Sequence, residues 1–364
     1  MARSTIADVA RLAGVSVATV SRSLNGNPSV DPALAERVRA AAIELQYSAS
    51  PLARSLVLGR TATIAVVVPD LGNPTFQEVL RGLSLAAKAE GYHVLVADSA
   101  EAVEEERALA LDTRRRTDGV VLVSPRMPDD ELAALLPELA PVVLVNRWPD
   151  AVPAVGADYG AGVTALLEHL HGLGHRSFAY LAGLERSVSN AARVAAIEAF
   201  VRGFGDGTGT DGGGAVGETA RDDAAAGRSA AGDAAAVVHR LPGGVDFDAG
   251  AAAADAVLAT GATAVLAFND LVAMGLMSTL QGRGVDVPGA LSIVGYDDIP
   301  FAAYTSPPLT TAAVPTRLLG EQAWAAMSAA LGGAGAALAD DAASAHPLLV
   351  PQLVVRGSSG PAAR

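Results

Sequence analysis

The sequence predicts a small all-α head followed by a larger α/β body built from two doubly wound parallel-sheet lobes. Three observations support this fold class. Apolar residues follow helical spacing up to residue 47, short runs of Val, Ile and Leu alternate with helical stretches beyond Thr61, and the length of 364 residues exceeds one ordinary core. We expect a head over 1–47, a linker over 48–60 and a body over 61–358.

The head begins with a helix that the sequence caps at both ends. Thr5 and Asp8 stand at the spacing of a capping box, and Gly14 suits the left-handed backbone that ends a helix. Ser16 is a natural cap for the next helix, in which Val20 points inward. Two short helices joined by a Gly-Val-Ser turn predict a helix-turn-helix, whose second helix lies in the DNA major groove.

Two further helices are predicted before the body. The third begins at Asp31, an N-cap residue, and Pro32, which suits the first helical position. A fourth, from Pro51 to Gly59, has only about two turns and is therefore marginal in water alone. We expect it to order only when two copies of the chain pack together on DNA.

The second helix carries side chains suited to DNA contact. Val17 and Ala18 are small enough to touch thymine methyl groups, and Arg22 can pair bidentately with guanine. The hydroxyl and amide side chains nearby are typical of phosphate contacts that fix the register. A purely structural three-helix unit is the alternative. The candidate DNA contacts of the head are Thr5, Ser16, Val17, Ala18, Thr19, Ser21, Arg22 and Asn25.

Charge separates the head from the rest of the chain. Residues 1–60 hold seven arginines and four acidic residues, a formal charge of +3, whereas the remainder holds 19 basic and 35 acidic residues, or −16. Phosphate repels an acidic body, so DNA binding has to come through the head. This asymmetry argues against the purely structural alternative.

Composition excludes several other classes of protein. The chain has no cysteine, which excludes disulfides and thiolate metal sites and fits a reducing cytosol. We see no apolar secretory signal at the N-terminus and no charge-free apolar run of the ~18 residues that a membrane span needs. We therefore expect a cytoplasmic protein without membrane contact, cofactor or metal.

The body is predicted from eight short apolar runs spaced by helices, which is typical of parallel sheets in βαβ units. Ligands of such sheets bind at the carboxyl ends of the strands, in the crevice between lobes. The predicted strands are 62–69, 93–98, 119–124, 141–146, 177–183, 235–240, 264–268 and 291–296, with a last strand from Leu348 to Val355.

Lobe boundaries and low-complexity segments complete the predicted organisation. We assign lobe one to about 61–157 plus 310–340, and lobe two to about 158–309 plus 341–358. Within them, 203–234 is a predicted flexible loop and 329–345 an Ala/Gly-rich linker, since both lack large apolar side chains.

Several blocks, in order along nearly the whole chain, resemble the LacI/GalR family of bacterial transcriptional regulators. Together they are far more specific than any one of them. They are Thr5-Ile-Ala-Asp-Val-Ala, Gly14-Val-Ser, Thr19-Val-Ser-Arg22, Pro51-Leu-Ala-Arg-Ser-Leu56, Pro69-Asp-Leu-Gly-Asn73-Pro-Thr-Phe76, His169-Leu through Leu173-Gly-His175-Arg176, Ala267-Phe-Asn269-Asp270, Val294-Gly-Tyr-Asp297-Asp298 and Pro308-Leu-Thr-Thr311.

The resemblance implies a periplasmic-binding-protein-like body and a homodimer that binds a pseudo-palindromic operator through paired heads. Leu56 is then the wedge that the hinge helix inserts into the minor groove, and Ala53 faces the same groove. Packing of one hinge against the other is a second interpretation of Leu56, and both can hold together. No leucine heptads occur at the C-terminus, which favours a dimer over a coiled-coil tetramer.

The resemblance also implies a small-molecule effector, a sugar in our prediction, bound between the lobes. Arg, Asp and Asn side chains make directional bonds to hydroxyls, and aromatic faces cover the apolar side of a sugar ring. Asn73 as a turn residue, Asp297 as a turn cap and Arg147 as a surface ion pair remain open alternatives. The candidate effector contacts are Asn73, Phe76, Asn146, Arg147, Ser189, Arg193, Phe268, Asn269 and Asp297.

Departures from the family pattern leave the effector's identity open. Asp158-Tyr159 stands where many members have Asp-Asn, and the arginine motif reads Arg193-Val-Ala-Ala-Ile197 rather than Arg-x-x-Gly-Phe. The segment 203–234 resembles an insertion.

Three functions are compatible with a two-lobed α/β body. We predict a DNA-binding transcriptional regulator, a repressor, under allosteric control. A solute-binding protein for a sugar transporter is the alternative, but it requires a secretory signal and no basic head. An enzyme is disfavoured because no catalytic set is recognisable: the G-x-G-x-x-G at 207–212 has no strand before it, and His169, His171 and His175 lack a completing carboxylate.

Overall fold

The computed structural model describes residues 4–24, 29–47, 59–149, 152–205, 236–332 and 348–363. The chain divides into two compact units, Met1–Ala62 and Thr63–Arg364, which are the head and the body. Predictions for Asn25, Ala53 and Leu56, for the hinge helix, and for most of the loop and linker fall outside the described residues.

The described residues of the head form three helices whose ends follow the sequence signals. These helices are α1 (Ile6–Ala13), α2 (Val17–Leu24) and α3 (Pro32–Glu44). Thr5 Oγ1 accepts a hydrogen bond from the Asp8 backbone at 3.3 Å, and the Asp8 carboxylate accepts one from the Thr5 backbone at 3.0 Å. Gly14 ends α1 with a φ of 66°, in the left-handed region. The predicted capping box and left-handed end are thus confirmed.

A compact apolar centre holds the three helices together. Val9, Val20 and Val38, one from each helix, are fully buried there. Burial of an aliphatic side chain contributes roughly 1.5–3 kcal/mol, which matters in so small a unit. Arg37 of α3 also donates to the carbonyl of Ala13 at 2.5 Å, which satisfies a terminal acceptor of α1.

The first lobe is built on a parallel sheet. Its strands are β1 (Thr63–Val68), β2 (His93–Asp98), β3 (Gly119–Val123), β4 (Val142–Val145), β5 (Ala154–Ala157) and β11 (Leu348–Leu349). Within the described residues their order is β11-β5-β4-β3-β1-β2. Ile64 and Val66 enter one buried cluster, whereas Ala65 and Val67 enter another. Because successive strand residues face opposite sides, helices cover both faces of the sheet.

The second lobe repeats this arrangement on a smaller scale. Its strands are β6 (Ser177–Ala182), β7 (Val237–Pro242), β8 (Ala264–Ala267) and β9 (Ser292–Val294). They are parallel in the order β7-β6-β8-β9. Phe178 and Tyr180 face one core and Ala179 and Leu181 the other. The predicted pair of doubly wound lobes is confirmed.

Helices alternate with the strands of both lobes. They are α4 (Pro74–Ala89), α5 (Val103–Arg114), α6 (Asp129–Leu139), α7 (Tyr159–Gly172), α8 (Val188–Gly205), α9 (Phe247–Ala252), α10 (Ala254–Ala259), α11 (Asp270–Gly282) and α12 (Thr316–Ala330). A 3-10 helix covers Pro300–Tyr304. None of the described helices is both long enough and apolar enough to cross a membrane.

The structure corrects several sequence predictions. Strand β5 was missed because its Ala-Val-Gly-Ala segment is short and lacks a β-branched run. β10 (Thr311–Ala313), which pairs with β12 (Gln352–Val354), was missed as well. The predicted strand from Leu348 to Val355 is two strands, because Pro351 cannot donate to a ladder. β11 pairs with β5 of lobe one, so these two residues do not belong to lobe two as predicted. Finally, α8 extends through Gly205 rather than ending before the predicted loop.

Candidate functional site

Helix α2 presents an exposed surface opposite the packed centre of the head. Val17, with 45 % of its surface exposed, lies beside exposed Ala18 and Arg22, whereas Thr19 and Ser21 are half-buried. The Arg22 Nε donates to the carbonyl of Ala18, one turn earlier, at 3.3 Å. Three of the residues predicted to reach base edges therefore lie open to a partner.

The polar candidates of the head also support the helix ends. Ser16 Oγ accepts from the Thr19 backbone at 3.1 Å, and the two hydroxyl oxygens lie 2.8 Å apart. Thr5 belongs to the capping box of α1. Ser16 and Thr19 lie at the start of α2, where hydroxyl groups suit phosphate contact, and phosphate contact by all three residues stays a prediction.

A cleft between the two lobes of the body is lined from both sides by residues near the carboxyl ends of strands, as expected for such sheets. It brings together seven of the nine predicted effector residues, all except Asn146 and Arg147. The lining consists of Asp70, Asn73, Thr75, Phe76, Glu101, Ser124, Arg126, Tyr159, Ser189, Arg193, Val245, Phe268, Asn269 and Asp297.

Arg193 of α8 is the centre of the lobe-two wall. Its side chain is 2 % exposed, and its guanidinium carbon lies 4.5 Å from the ring centres of Tyr159 and Phe268 and 4.1 Å from that of Tyr296. Such contacts with aromatic faces stabilise a desolvated cation. Among the described residues, the Nε and Nη1 of Arg193 have no hydrogen-bond partner. Two buried donors are therefore left for a ligand to satisfy.

Asp297 faces Arg193 across this wall. Its Oδ1 lies 4.0 Å from Arg193 Nη2, and its Oδ2 accepts from Thr75 Oγ1 of lobe one at 2.9 Å. The backbone has a φ of 104°, unusual for a residue with a side chain, and bonds to Ala312 and Val314 hold it there. Burial raises the pKa of the Asp297 carboxyl from 3.8 to about 6, against the lowering effects of Arg193 and Thr75.

Two asparagines of the cleft also cap helices. Asn73 Oδ1 accepts from the Thr75 backbone at 3.0 Å at the start of α4, and Asn269 Oδ1 accepts from the Val272 backbone at 2.9 Å at the start of α11. The structural role left open for Asn73 is therefore present, and both side chains still line the cleft. Ser189 lies in the lining too, with its hydroxyl 2.9 Å from that of Ser187.

Asn146 acts on the cleft through Tyr159 rather than from its surface. The Asn146 amide donates to the Tyr159 hydroxyl at 2.9 Å and to Ser124 Oγ at 3.1 Å, and its oxygen accepts from the Ala157 backbone. Burial raises the pKa of the Tyr159 hydroxyl to about 12, so this group stays neutral. Asn146 is thus not among the residues that line the cleft, and its side chain holds Tyr159 in place; a ligand contact of Asn146 stays a prediction.

Arg147 is likewise absent from the cleft lining. Its Nη1 donates to the Pro125 carbonyl and its Nη2 to the Met127 carbonyl, both at 2.9 Å. Nη2 also lies 2.5 Å from the carboxylate of Asp129. The guanidinium is thus consumed in fixing the segment after β3, and the predicted ligand contact of Arg147 is not supported.

Arg126 and Tyr159 line the cleft but were not among the candidates. The sequence marks Tyr159 only as a departure from the family pattern. Arg126 follows β3 by three residues, and a charged residue just beyond the carboxyl end of a parallel strand is a usable signal for a cleft position. The partners that hold Arg126 are distant in sequence, so its orientation could not be read from the chain.

Different family models match the head and the body. Residues 5–50 match "Bacterial regulatory proteins, lacI family". Residues 61–208 match "Periplasmic binding proteins and sugar binding domain of LacI family", and residues 167–359 match "Periplasmic binding protein-like domain".

Individual relatives match over nearly the whole chain. The HTH-type transcriptional regulator GalS of Salmonella typhimurium is 32% identical, covering 97% of this chain and 96% of its own length. The HTH-type transcriptional repressor CytR of Escherichia coli is 29% identical, covering 98% and 96%.

Solved structures show the same fold. A lac repressor dimer bound to operator and the anti-inducer ONPF has a TM-score of 0.79 at 24% identity, covering 99% of this chain and 100% of that chain. A complex of the transcriptional regulator CelR with cellobiose has a TM-score of 0.60 at 27% identity, covering 98% and 100%. The relatives named above are regulators and not enzymes. The family matches and the 32% identity to GalS over nearly the whole chain show that the chain belongs to the LacI family of bacterial transcriptional regulators.

Proposed function

We propose that this regulator is a repressor whose affinity for operator DNA is controlled by a small polyhydroxylated molecule of the sugar class. The observation that carries the effector part is Arg193, which is buried among three aromatic rings and has two hydrogen-bond donors without a partner among the residues that the structure describes. Ligand hydroxyl oxygens can accept from these donors, while Asp297 can accept from ligand hydroxyl groups.

The remaining lining supports the same ligand chemistry. Phe76 and Phe268 supply aromatic faces for the apolar side of a sugar ring, and Ser189 and Tyr159 supply hydroxyls. One solved neighbour, CelR, holds cellobiose, and the family description for residues 61–208 includes a sugar-binding domain. A ligand of this class fits a cleft that offers directional hydrogen bonds from both lobes.

The DNA part of the proposal uses the head. Residues 1–47 bind one half of a pseudo-palindromic operator, 48–60 form the hinge, and 61–358 bind the effector and a second copy of the chain. In the homodimer, Leu56 enters the minor groove at the operator centre, with Ala53 facing the same groove. DNA of the bacterial cell lies in the cytoplasm, so the protein acts there.

Control follows from the position of the cleft between the lobes. A ligand that binds both walls stabilises one lobe arrangement over another, and this changes the relative positions of the two hinges in the dimer. Operator affinity then changes by the coupling free energy, typically ~1–3 kcal/mol. The Thr75–Asp297 hydrogen bond already joins the two walls, so a ligand that competes for Asp297 acts directly on a contact between lobes.

Two substitutions separate the DNA and effector roles, and each serves as the control for the other. Arg22→Ala should weaken specific operator binding by ~1–3 kcal/mol because a bidentate base contact is lost. Arg193→Ala should spare operator binding and abolish the effector response. The operator is selected from a random DNA pool, the effector is found by a thermal-shift screen of sugars, and both are titrated by fluorescence anisotropy.

Each variant has its own result that would contradict the proposal. An unchanged operator affinity of Arg22→Ala contradicts the proposed base contact. A surviving effector response of Arg193→Ala contradicts the proposed role of the cleft.

A further inference from the structure

A second arginine of the cleft, Arg126, is paired with a carboxylate in the lobe-one wall. Its Nε lies 2.9 Å from Oε2 of Glu101, and its Nη2 lies 3.0 Å from Oε1. This is the parallel, two-bond arrangement in which guanidinium and carboxylate fit best. The side chain of Arg126 is 5 % exposed and that of Glu101 is 18 % exposed, and both line the cleft.

The pair is held in place from outside the cleft. Buried Glu106 of α5 accepts from the backbone of Arg126 through both oxygens, each at 2.9 Å, and from the backbone of Met127 at 2.8 Å. Glu101 has a φ of 58°, and its backbone donates to the carbonyl of Pro69 at 2.7 Å. The two charged side chains therefore meet on backbone segments that are themselves fixed.

The hydrogen-bonding state of Arg126 is the opposite of that of Arg193. The third nitrogen of Arg126, Nη1, lies 3.4 Å from Ser187 Oγ of lobe two, so all three guanidinium nitrogens have a partner. Two donors of Arg193, by contrast, have no partner in the described part of the chain. An incoming anion would have to displace Glu101 before it could bind Arg126 bidentately.

Charge in the cleft also disfavours an anion. The lining contains two arginines, Arg126 and Arg193, and three carboxylates, Asp70, Glu101 and Asp297. Glu101 lies in the wall itself, where a partly buried charge is screened less by water than one at the surface. At the lobe-one wall, a phosphorylated or carboxylated ligand would meet the Glu101 carboxylate and would find the Arg126 guanidinium already paired.

We propose that the Glu101–Arg126 pair is a specificity determinant that rejects anionic effectors, such as sugar phosphates and sugar acids, and admits neutral polyols. The inference rests on the proposed effector role of the cleft and narrows its ligand class. Arg126 holds the Glu101 side chain in place and neutralises its charge. The Glu101 carboxylate can still accept hydrogen bonds from ligand hydroxyl groups. Leaving the charge of an unwanted ligand unpaired is a general route to specificity.

The test removes the negative charge of the Glu101–Arg126 pair, so that the lobe-one wall of the cleft becomes cationic. Glu101→Gln keeps the shape of the side chain but removes its charge, so Arg126 loses the carboxylate to which its guanidinium is hydrogen-bonded. We expect the variant to gain affinity for glucose 6-phosphate and inorganic phosphate by roughly tenfold or more over wild type, measured by isothermal titration calorimetry on the full chain. Wild type should bind glucose 6-phosphate more weakly than any neutral sugar that it accepts.

Two control variants assign the gain to this pair. Glu104→Gln removes the same charge from an exposed position at the start of α5 and should gain nothing. The double variant Glu101→Gln/Arg126→Met should lose the gain. Wild type that already binds these phosphates as tightly as Glu101→Gln overturns the proposal, and so does a folded Glu101→Gln that gains nothing.

Two further outcomes of these binding measurements distinguish the inference about the Glu101–Arg126 pair from the proposed function. If Glu101→Gln does not fold, the wild-type comparison of phosphorylated with neutral sugars still decides. A gain in Glu101→Gln together with no neutral-sugar binding in wild type supports the pair and contradicts only the sugar class of effector.

Discussion

The head and the body keep their functional side chains in opposite environments. In the head, Val17, Ala18 and Arg22 lie exposed on a short helix, and the buried centre consists of apolar side chains. In the body, Arg193 and Asp297 are almost fully buried among aromatic rings and other charged groups. The difference indicates two modes of recognition: the head offers an exposed surface to a large partner, whereas the body encloses a small one.

The two regions also differ in what a substitution should disturb. A buried apolar residue of the head supports a small unit with little stability to spare. A buried charge of the body belongs to a network inside a much larger core, so its removal changes ligand chemistry and pH dependence first.

The largest expected effect comes from a charge in the centre of the head. Val20→Asp buries a carboxylate at a fully buried position, which costs several kcal/mol unless the head opens, so the head should unfold. Operator binding should then be lost completely, while the body, a separate compact unit, should keep its thermal transition. Gel shift and differential scanning calorimetry measure the two effects.

The matched control for this comparison is Leu12→Asp, which places the same carboxylate at a position of α1 that is 46 % exposed. Its head should stay folded by circular dichroism. Specific DNA binding by Val20→Asp would show that the head does not depend on this packed centre.

A smaller effect is expected at Asp297 of the body, and it depends on pH. Burial raises the pKa of this carboxyl from 3.8 to about 6, so the folded protein holds the proton more tightly than the unfolded chain. The resulting stabilisation is complete below pH 3.8 and is lost as the pH rises through 6. Relative to Asp297→Asn, wild type should lose up to about 3 kcal/mol of unfolding free energy between pH 4 and pH 7.

Urea unfolding of both proteins across this pH range measures the difference. The control is Asp130→Asn, at an exposed position of α6, whose stability should follow wild type at every pH. A constant difference between wild type and Asp297→Asn would contradict the raised pKa.

The sequence predicted best what depends on local pattern. The capping box at Thr5, the left-handed end at Gly14 and the strand β2 were predicted with the bounds that the structure has, because neighbours along the chain determine them. Short β5 lacks such a pattern, and its pairing with β4 is decided by the sheet around it.

The cleft was predicted in outline but not in detail. Arg147 and Arg126 are alike in sequence, each just beyond a buried strand, yet only Arg126 reaches the lining. Asp129 and two carbonyls bind Arg147, whereas Glu101, 25 residues away, directs Arg126 into the cleft. Contacts between residues distant in sequence decide such orientations, and one sequence does not reveal them.

The central claim is that the cationic head binds the operator while the acidic body senses the effector. The most direct test compares the full chain with a truncated chain that begins at Thr61, using the selected operator and the effector found by thermal shift. We expect the truncated chain to bind the effector as the full chain does and to show no preference for the operator over unrelated DNA. Sequence-selective operator affinity that survives removal of the head would contradict the account.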